Sequence, residues 1–412
     1  MKCENRAEFV IIGYQPSDKR GRDFASLLLA TREGGKLVYR GRVGTGFDAD
    51  TQTALTAAMA PLRVSRAPVS PIPAEARGAH WLRPDLVAEI RYGEITGDGR
   101  LRHASFVALR EDKPAREVHM DPDMTDRVMV SGIALSSGGR VIFPKPKITK
   151  LDLARYHEAM ADRILAEAAD RPLSLVRLPE GLDGARFFQK HAGKGFPDAI
   201  HSVDIDGEAY MSVRDAAGLV GAVQMGTVEF HLWAARADRL DRPDRMVFDL
   251  DPDEGLGFAK VRDAAAELRD VLSDLGLGAY AMVTGGKGVH VVVPLRRIAG
   301  WDTVKLFAET LASVLAQRAP DRFTATMSKA RRKDRIFIDW LRNERGATAI
   351  APFSVRARPG APVAVPVAWD ELARLRRADG FDLAAARTRD WSDLARPKPV
   401  GLSATVMDRL GR

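Results

Sequence analysis

The sequence predicts two domains: an all-β barrel of the OB-fold type, then an α+β domain with a mainly antiparallel sheet. Three observations carry this. Short β-rich runs separated by turn signals fill roughly the first 110 residues, with one helical stretch among them. A charged stretch follows that carries Pro114 and Pro122 and lacks apolar periodicity. Beyond it, helical stripes alternate with short apolar strands.

In chain order, Phe9–Tyr14, Ser26–Thr31, Leu37–Val43, Leu86–Ile95 and Leu101–Leu109 read as strands. Gly34-Gly35 and Asp98-Gly99 mark hairpin turns. Val87, Glu89 and Arg91 alternate with Ala88, Ile90 and Tyr92, the mark of a half-exposed strand. Ala49–Met59 is the one helix, and the proline-rich residues 61–84 read as a loop. Five strands and a helix fit a small closed barrel. The domains are expected over residues 1–118 and 131–412, with 119–130 as the linker. In the second domain Thr149 is a helix N-cap with Asp152 three residues on, starting a helix to about Ala169. Phe258–Leu275 carries Val261, Ala265, Leu268, Leu272 and Leu275 on one stripe, with Gly276 closing it. Thr303–Arg318 is a third helix. Strands are expected at Arg245–Asp251, Ala279–Thr284, Val289–Pro294 and Arg335–Trp340.

The chain has 412 residues, 45% of them apolar, enough for two cores. The net charge of +8 is spread over both halves. It suits a phosphate-bearing partner and equally a soluble protein rich in arginine. Cys3 is the single cysteine, which excludes an internal disulfide and a cysteine zinc site and suits a reducing cytosol. The opening MKCENRAEF has no apolar run, so no signal peptide is expected, and no stretch approaches a membrane span.

The most informative segment is Arg245–Asp253, RMVFDLDPD. On a strand, Met246, Phe248 and Leu250 share one face, and Val247, Asp249 and Asp251 the other. Two carboxylates on one face repel unless a cation sits between them, and hard divalent ions take such oxygens. An acidic turn at a strand end and a pair neutralised by Arg242 or Arg245 are the competing readings. An EF-hand is excluded, because Glu254 and Lys260 stand where it needs Gly and Glu. In RIFIDW, Asp339 shares a face with Phe337 inside an apolar strand, a costly placement unless compensated. A third carboxylate there would complete a two-metal site; a lone aspartate satisfied by a nearby arginine is the alternative. In AMVTGGKGVHVVV, strand runs into Thr284-Gly285-Gly286-Lys287-Gly288 and strand runs out. Three glycines let backbone amides approach a phosphate, with Lys287, Thr284 and His290 beside them. On the turn alone a plain hairpin with a glycine bulge is the slightly better reading, whereas a Walker loop is excluded by spacing.

FDLDPDE, TGGKGVH, FIDWLRN and APFSVRARPGAP follow one another as in the ligase D polymerase domain, a branch of the archaeo-eukaryotic primase superfamily. PLSLVRLPEG, FFQKH and EFHLW strengthen the resemblance, which covers about residues 131–412. It implies a template-directed polymerase that favours ribonucleotides and fills gaps and extends ends in double-strand-break repair by non-homologous end joining. Asp249, Asp251 and Asp339 would hold two Mn²⁺ or Mg²⁺ ions, manganese favoured. Thr284, Lys287, His290, Arg332 and Arg356 would bind the triphosphate of an NTP or dNTP, and His231 would sit near its sugar. Arg140, Lys150, Arg177, Phe187 and Phe188 would engage a recessed 5′-phosphate and the template, with one of the two phenylalanines packing into the core. Thr284 and Arg140 depart mildly from the family's Ser and Lys. Asp334-Arg335 replaces its usual Gly-Lys, so Arg331 competes with Arg332 as phosphate ligand.

Residues 3–117 resemble the OB domain of the same family's ATP-dependent ligase, through EFVIIGYQPSDKRGRDFASLLLA, YRGRVGTGF and HWLRPDLVAEIRYGE. In LREDKP, Arg110 and Lys113 would orient pyrophosphate, and Lys2 would be a remnant of the preceding lysine motif. No KxDG segment is present in the 412 residues, so no adenylated lysine is expected. The resemblance implies DNA ends, Ku and possible pairing with a separate adenylation domain as partners, in the cytoplasm at the nucleoid. An end-bridging scaffold and the OB half of a split ligase are the rival functions.

Overall fold

A computed structural model describes residues 5–18, 22–96, 99–110, 112–118, 128–193, 195–394 and 396–410. Lys2, Cys3, Asp98 and most of the expected linker lie outside the described residues. The chain divides into two compact units, residues 1–127 and 128–412.

The first unit is built from β1 (Asn5–Pro16), β2 (Phe24–Glu33), β3 (Lys36–Val43), helix α1 (Ala49–Met59), β4 (Arg63–Val64), β5 (His80–Tyr92), β6 (Glu94–Ile95), β7 (Leu101–Arg102) and β8 (Ser105–Leu109). Its main sheet runs β3-β2-β1-β5-β4, with β8 also on β5. The Phe106 amide donates to the Thr45 carbonyl at 2.9 Å, linking the segment after β3 to β8 and bringing the sheet's two ends together. Phe9, Ile11, Phe24, Leu27 and Leu29 fill one core with Leu55 and Met59 of α1. Asp48 caps α1 by accepting from the Thr51 amide at 2.8 Å.

Two expectations change here. The proposed loop 61–84 gives its last residues to β5, which begins at His80 despite Pro84. The register with β1 jumps between Ile11 and Gly13, so residues 82–85 bulge away and the missing proline N–H costs no ladder bond there. The proposed strand Leu101–Leu109 is broken at His103, whose φ is +54°.

The second unit opens with hairpins β9 (Val128–Val130)–β10 (Ile133–Leu135) and β11 (Val141–Phe143)–β12 (Ile148–Thr149). Helices α2 (Lys150–Ala159) and α3 (Ala161–Ala168) follow, then β13 (Leu173–Arg177), β14 (Phe187–Gln189), hairpin β15 (His201–Ile205)–β16 (Glu208–Ser212), α4 (Ala216–Gln224) and β17 (Thr227–Leu232). Next come β18 (Arg245–Pro252), α5 (Phe258–Asp274), β19 (Tyr280–Val283), β20 (Val289–Pro294), α6 (Trp301–Arg318), β21 (Phe323–Thr324), β22 (Ile336–Asp339), β23 (Ala349–Ile350) and β24 (Val365–Val367). Thr149 and Asp152 form the expected capping box, but the helix they start breaks at Met160.

Two sheets matter for function: β14-β13-β17-β23, and β21-β22-β18-β20-β19-β24. All neighbours are antiparallel except β21 and β22. Met246, Phe248 and Leu250 of β18, with Ile336 and Ile338 of β22, are buried in one core with Val261, Ala265, Leu268 and Leu272 of α5. Each of these side chains larger than alanine contributes roughly 1.5–3 kcal/mol. That commits β18's other face, the one with Asp249 and Asp251, away from the helices.

His157 of α2 is fully buried, its Nδ1 at 2.8 Å from the Leu153 carbonyl. Burial lowers its pKa from 6.5 to about 4. Between those values the unfolded chain binds the extra proton, so stability falls as pH drops through that window, by up to about 3 kcal/mol. Urea unfolding across pH 7 to 4 should show this, and His157→Phe should flatten the slope.

Candidate active site

Strand register builds an acidic row. Asp249 pairs directly with Asp339 of β22 on one side and with His290 of β20 on the other. Directly opposed residues in antiparallel strands project to the same face, and Asp251 follows two residues along. Asp249, Asp339, His290 and Asp251 therefore share the face turned from the helices. His290 Nε2 stands 3.5 Å from Asp249. Arg342 NH2 lies between Asp249 and Asp339, at 3.3 and 3.1 Å. Arg332 NH1 is 3.1 Å from Asp251, its guanidinium 4.0 Å from the Phe337 ring centroid. Arg331 is exposed, so Arg332 is the arginine of that pair that reaches the row.

Burial pushes the Asp249 carboxyl up, but His290, Arg342 and Arg356 outweigh it and hold it at about 2. Asp251 is raised above its ordinary value, by burial first and then by the charge of Asp249. Asp339 is raised by burial and by Asp249, with Arg342 opposing. Charged carboxylates are thus crowded on one face, a donor set that fits hard divalent ions. Among the described residues no three such side chains already stand at metal-ligating spacing. Arg342 supplies the compensating charge between two of them.

The glycine turn lies against this row. Thr284 donates through its amide and its hydroxyl to the Gly288 carbonyl, at 3.2 and 3.0 Å, which closes the turn. The Thr284 hydroxyl is thereby committed to shape. Gly285 has φ +65°, and a methyl group at Gly288 would stand 2.5 Å from the Leu250 carbonyl oxygen. Lys287 is half exposed, 3.6 Å from Glu254. Arg356 donates to the Thr284 carbonyl at 2.5 Å. Thr284, Gly286, Lys287, Gly288 and Arg356 line a cleft of about 200 Å³ with His231, Asp249, Asp251, His290, Arg342, Ile350 and Arg358.

His231 and Glu229 share a face of β17. Glu229 is buried and accepts from Arg356 Nε at 3.1 Å and the Ala357 amide at 2.8 Å, with His231 Nε2 at 2.8 Å from its other oxygen. Burial pushes the Glu229 carboxyl up, but His231, Arg356 and the Ala357 amide bring it down to about 2. Glu229, Arg342 and Arg358 were not singled out in the sequence. Glu229 could have been found from its i, i+2 spacing to His231, and the two arginines from their places in the FIDWLRN and APFSVRARPGAP segments.

The expected DNA-side residues gather elsewhere on this unit. Arg140 donates to the Pro179 carbonyl at 2.8 Å and to Ser137 Oγ at 3.2 Å. Lys150, at the first turn of α2, donates to the Ser136 carbonyl at 2.9 Å. Arg177 Nε donates to the Met225 carbonyl at 2.6 Å, one residue before the Gly226 that packs on Pro179. The expectation that either Phe187 or Phe188 packs into the core fails: they are 51% and 57% exposed. They sit on a three-residue edge strand whose faces are both uncovered. Phe188, opposite Val176 and so on the Glu229 face, lies 6.0 Å from the His231 ring; Phe187 pairs with Arg177 and faces the other way. In the first unit Arg110 is bidentate to Asp112 and, with Lys113, pairs with Glu8.

Comparison with known proteins fits both halves. The family described as LigD, primase-polymerase domain, matches residues 149–394, and the ATP dependent DNA ligase C terminal region matches residues 20–113. The multifunctional non-homologous end joining protein LigD of Pseudomonas aeruginosa is 39% identical over 100% of this chain and 53% of its own length. The protein of that name from Mycolicibacterium smegmatis is 31% identical over 68% of this chain and 37% of its own. The chain thus spans about half or less of these curated relatives. The polymerase domain from Mycobacterium tuberculosis ligase D, solved in complex with DNA, aligns with TM-score 0.58 and 30% identity, covering 62% of this chain and 93% of that one. An acidic row beside a glycine turn, these two matches in this order and identity along the full chain have one reading: the chain belongs to the LigD family, with a ligase C-terminal OB-like domain followed by a LigD primase-polymerase domain.

Proposed function

We propose that the chain is a template-directed nucleotidyltransferase that extends and fills DNA ends in double-strand-break repair by non-homologous end joining, with ribonucleotides preferred. The observation that carries this is the convergence on one cleft of Asp249, Asp251 and His290 with the glycine turn and Arg356, with Asp339 beside Asp249 in the same row. Asp249, Asp251 and Asp339 would hold two Mn²⁺ or Mg²⁺ ions, which supply charge neutralisation and alignment for in-line attack at phosphorus. Lys287, the turn's amides, His290 and Arg356 bind the triphosphate, with Thr284 shaping the turn. Arg332 lies at the same row through Asp251. His231 meets the sugar, and Phe188 stacks on a base. No helix among the described residues is long and apolar enough to cross a membrane. Ku and a separate adenylation domain are the protein partners this reading implies.

The test is primer extension on a gapped, 5′-phosphorylated duplex with Mn²⁺ or Mg²⁺ and each nucleotide type. Added nucleotides that follow the template support the assignment; none with either ion refutes it.

Arg140, Lys150, Arg177 and Phe187 form the proposed seat for the 5′-phosphate. Charge-assisted contacts to phosphate contribute roughly 1.5–3 kcal/mol each, about tenfold or more in affinity. Lys150→Ala and Arg177→Ala should each shrink the preference for phosphorylated over hydroxyl-ended gaps by that factor, read by competition binding. An unchanged preference in both variants would remove them from the seat.

With no KxDG segment in this chain and Arg110 and Lys113 paired to acidic side chains, labelled ATP should leave no alkali-stable, acid-labile, lysine-linked AMP on the protein. A covalent adduct on a mapped lysine would contradict this.

A further inference from the structure

Glu229 engages two residues that line the cleft, His231 and Arg356, yet it is assigned no ligand of its own. One oxygen accepts from Arg356 Nε at 3.1 Å and from the Ala357 amide at 2.8 Å. The other stands 2.8 Å from Nε2 of His231. An ionised carboxylate can only accept, so Nε2 carries a proton in this contact. Burial lowers the His231 pKa, which favours the neutral ring. A neutral imidazole with its proton on Nε2 must present Nδ1 as an acceptor. His231 lines the cleft, and among the described residues Nδ1 makes no hydrogen bond.

Building on the nucleotidyltransferase reading, we propose that Glu229 is a positioning residue that fixes the tautomer of His231, so that Nδ1 accepts a hydrogen bond from a sugar hydroxyl of the incoming nucleotide. The same carboxylate holds the Arg356 guanidinium, so sugar and triphosphate contacts share one anchor. A ribonucleotide offers a 2′- and a 3′-hydroxyl, a deoxynucleotide only the 3′, and a dideoxynucleotide neither; the three together tell which hydroxyl is read.

Glu229→Gln makes the test selective. The glutamine oxygen can still accept from Arg356 and Ala357, both fixed donors. Its amide then donates toward Nε2, which drives the histidine proton to Nδ1 and turns the acceptor facing the sugar into a donor. Loss of the negative charge that faces Arg356 should slow every nucleotide alike. Loss of the Nδ1 acceptor should slow only those carrying the hydroxyl it reads.

Two measurements on the whole chain follow. Long-range ¹H–¹⁵N correlation spectra of histidine-labelled protein report which ring nitrogen is protonated, without substrate or activity. The Nε2–H form is expected in wild type and the Nδ1–H form in Glu229→Gln; the Nδ1–H form in wild type overturns the proposal, even if the variant fails to fold. Second, single-turnover incorporation is compared across NTP, dNTP and ddNTP. A five- to tenfold fall in the NTP/dNTP ratio, the size of one lost hydrogen bond, assigns the 2′-hydroxyl. A similar fall in dNTP/ddNTP assigns the 3′. Unchanged ratios with extension intact refute the sugar contact and leave the polymerase assignment standing. Wild type that extends no primer refutes the polymerase assignment instead, while the spectra still decide the tautomer.

Discussion

Replacing Asp251 with alanine is expected to abolish templated extension while leaving the fold intact. Asp251 shares a strand face with Asp249, and Asp339 stands opposite Asp249 across the ladder. In the proposed site two divalent ions would need all three carboxylates to be held in line with the attacking hydroxyl, and each ion would lower the barrier by several kcal/mol. A loss of at least about a thousandfold, roughly 4 kcal/mol, follows. Stability should not suffer. The Asp251 carboxyl is raised in the folded protein, so its charge is held there against burial and against Asp249. A raised carboxyl weakens the fold as pH rises through its value, and alanine removes that burden near neutrality. Arg332 loses a partner at 3.1 Å but keeps the Phe337 ring. Binding to a phosphorylated DNA end should persist, because Arg140, Lys150 and Arg177 belong to other elements. Extension by gel, end binding by mobility shift and thermal unfolding on one preparation check all three. Extension retained above a tenth of wild type would refute the two-ion site and favour an end-bridging scaffold.

Gly288→Ala should cripple the enzyme by a different route. The added methyl group would stand 2.5 Å from the Leu250 carbonyl oxygen and 3.5 Å from an Asp249 oxygen. Backbone cannot step aside as a side-chain tip can, so β18 and β20 must separate where Asp249 and His290 pair. A displacement of this kind at reacting groups costs about a hundredfold in rate. Overpacking costs stability as well, about 1–3 kcal/mol. Gly257→Ala is the control: its methyl group meets nothing within 4 Å and its backbone angle is ordinary. Extension rates with denaturant midpoints for both variants decide the matter, and near-wild-type rates in Gly288→Ala would show that the strands tolerate the spread.

The acidic row was legible because strand alternation is local: residues 245–251 alone put Asp249 and Asp251 on one face and three apolar side chains on the other. The turn at Thr284–Gly288 was legible for the same reason. The roles of Glu229 and Arg342 were not. Both lie in segments recognised as motifs, but a charge declares its role through its partners, and Arg356 and Asp249 lie 127 and 93 residues away along the chain. The break at Met160 was also hidden: residues 157–163 contain neither Gly nor Pro, and we have no physical account of it. The exposure of both Phe187 and Phe188 was missed because the sequence does not say that β14 is a bare edge. The strand through Pro84 was missed because a bulge depends on the neighbouring strand.

The pairing of Asp249 with Asp339 and His290 has a bearing on how this protein can change over generations. The three residues come from chain positions 41 and 49 apart, separated by α5 and α6, yet they meet through ladder bonds and not through the connections. A connection can lengthen or shorten without moving the row. A slip of one residue between β18 and β22 cannot pass unnoticed, since it would turn Asp339 inward among Phe248, Leu250 and the α5 stripe, where an unpaired carboxylate is heavily penalised. The charged side chains thus check the alignment of the strands that carry them, and variation is channelled into the loops.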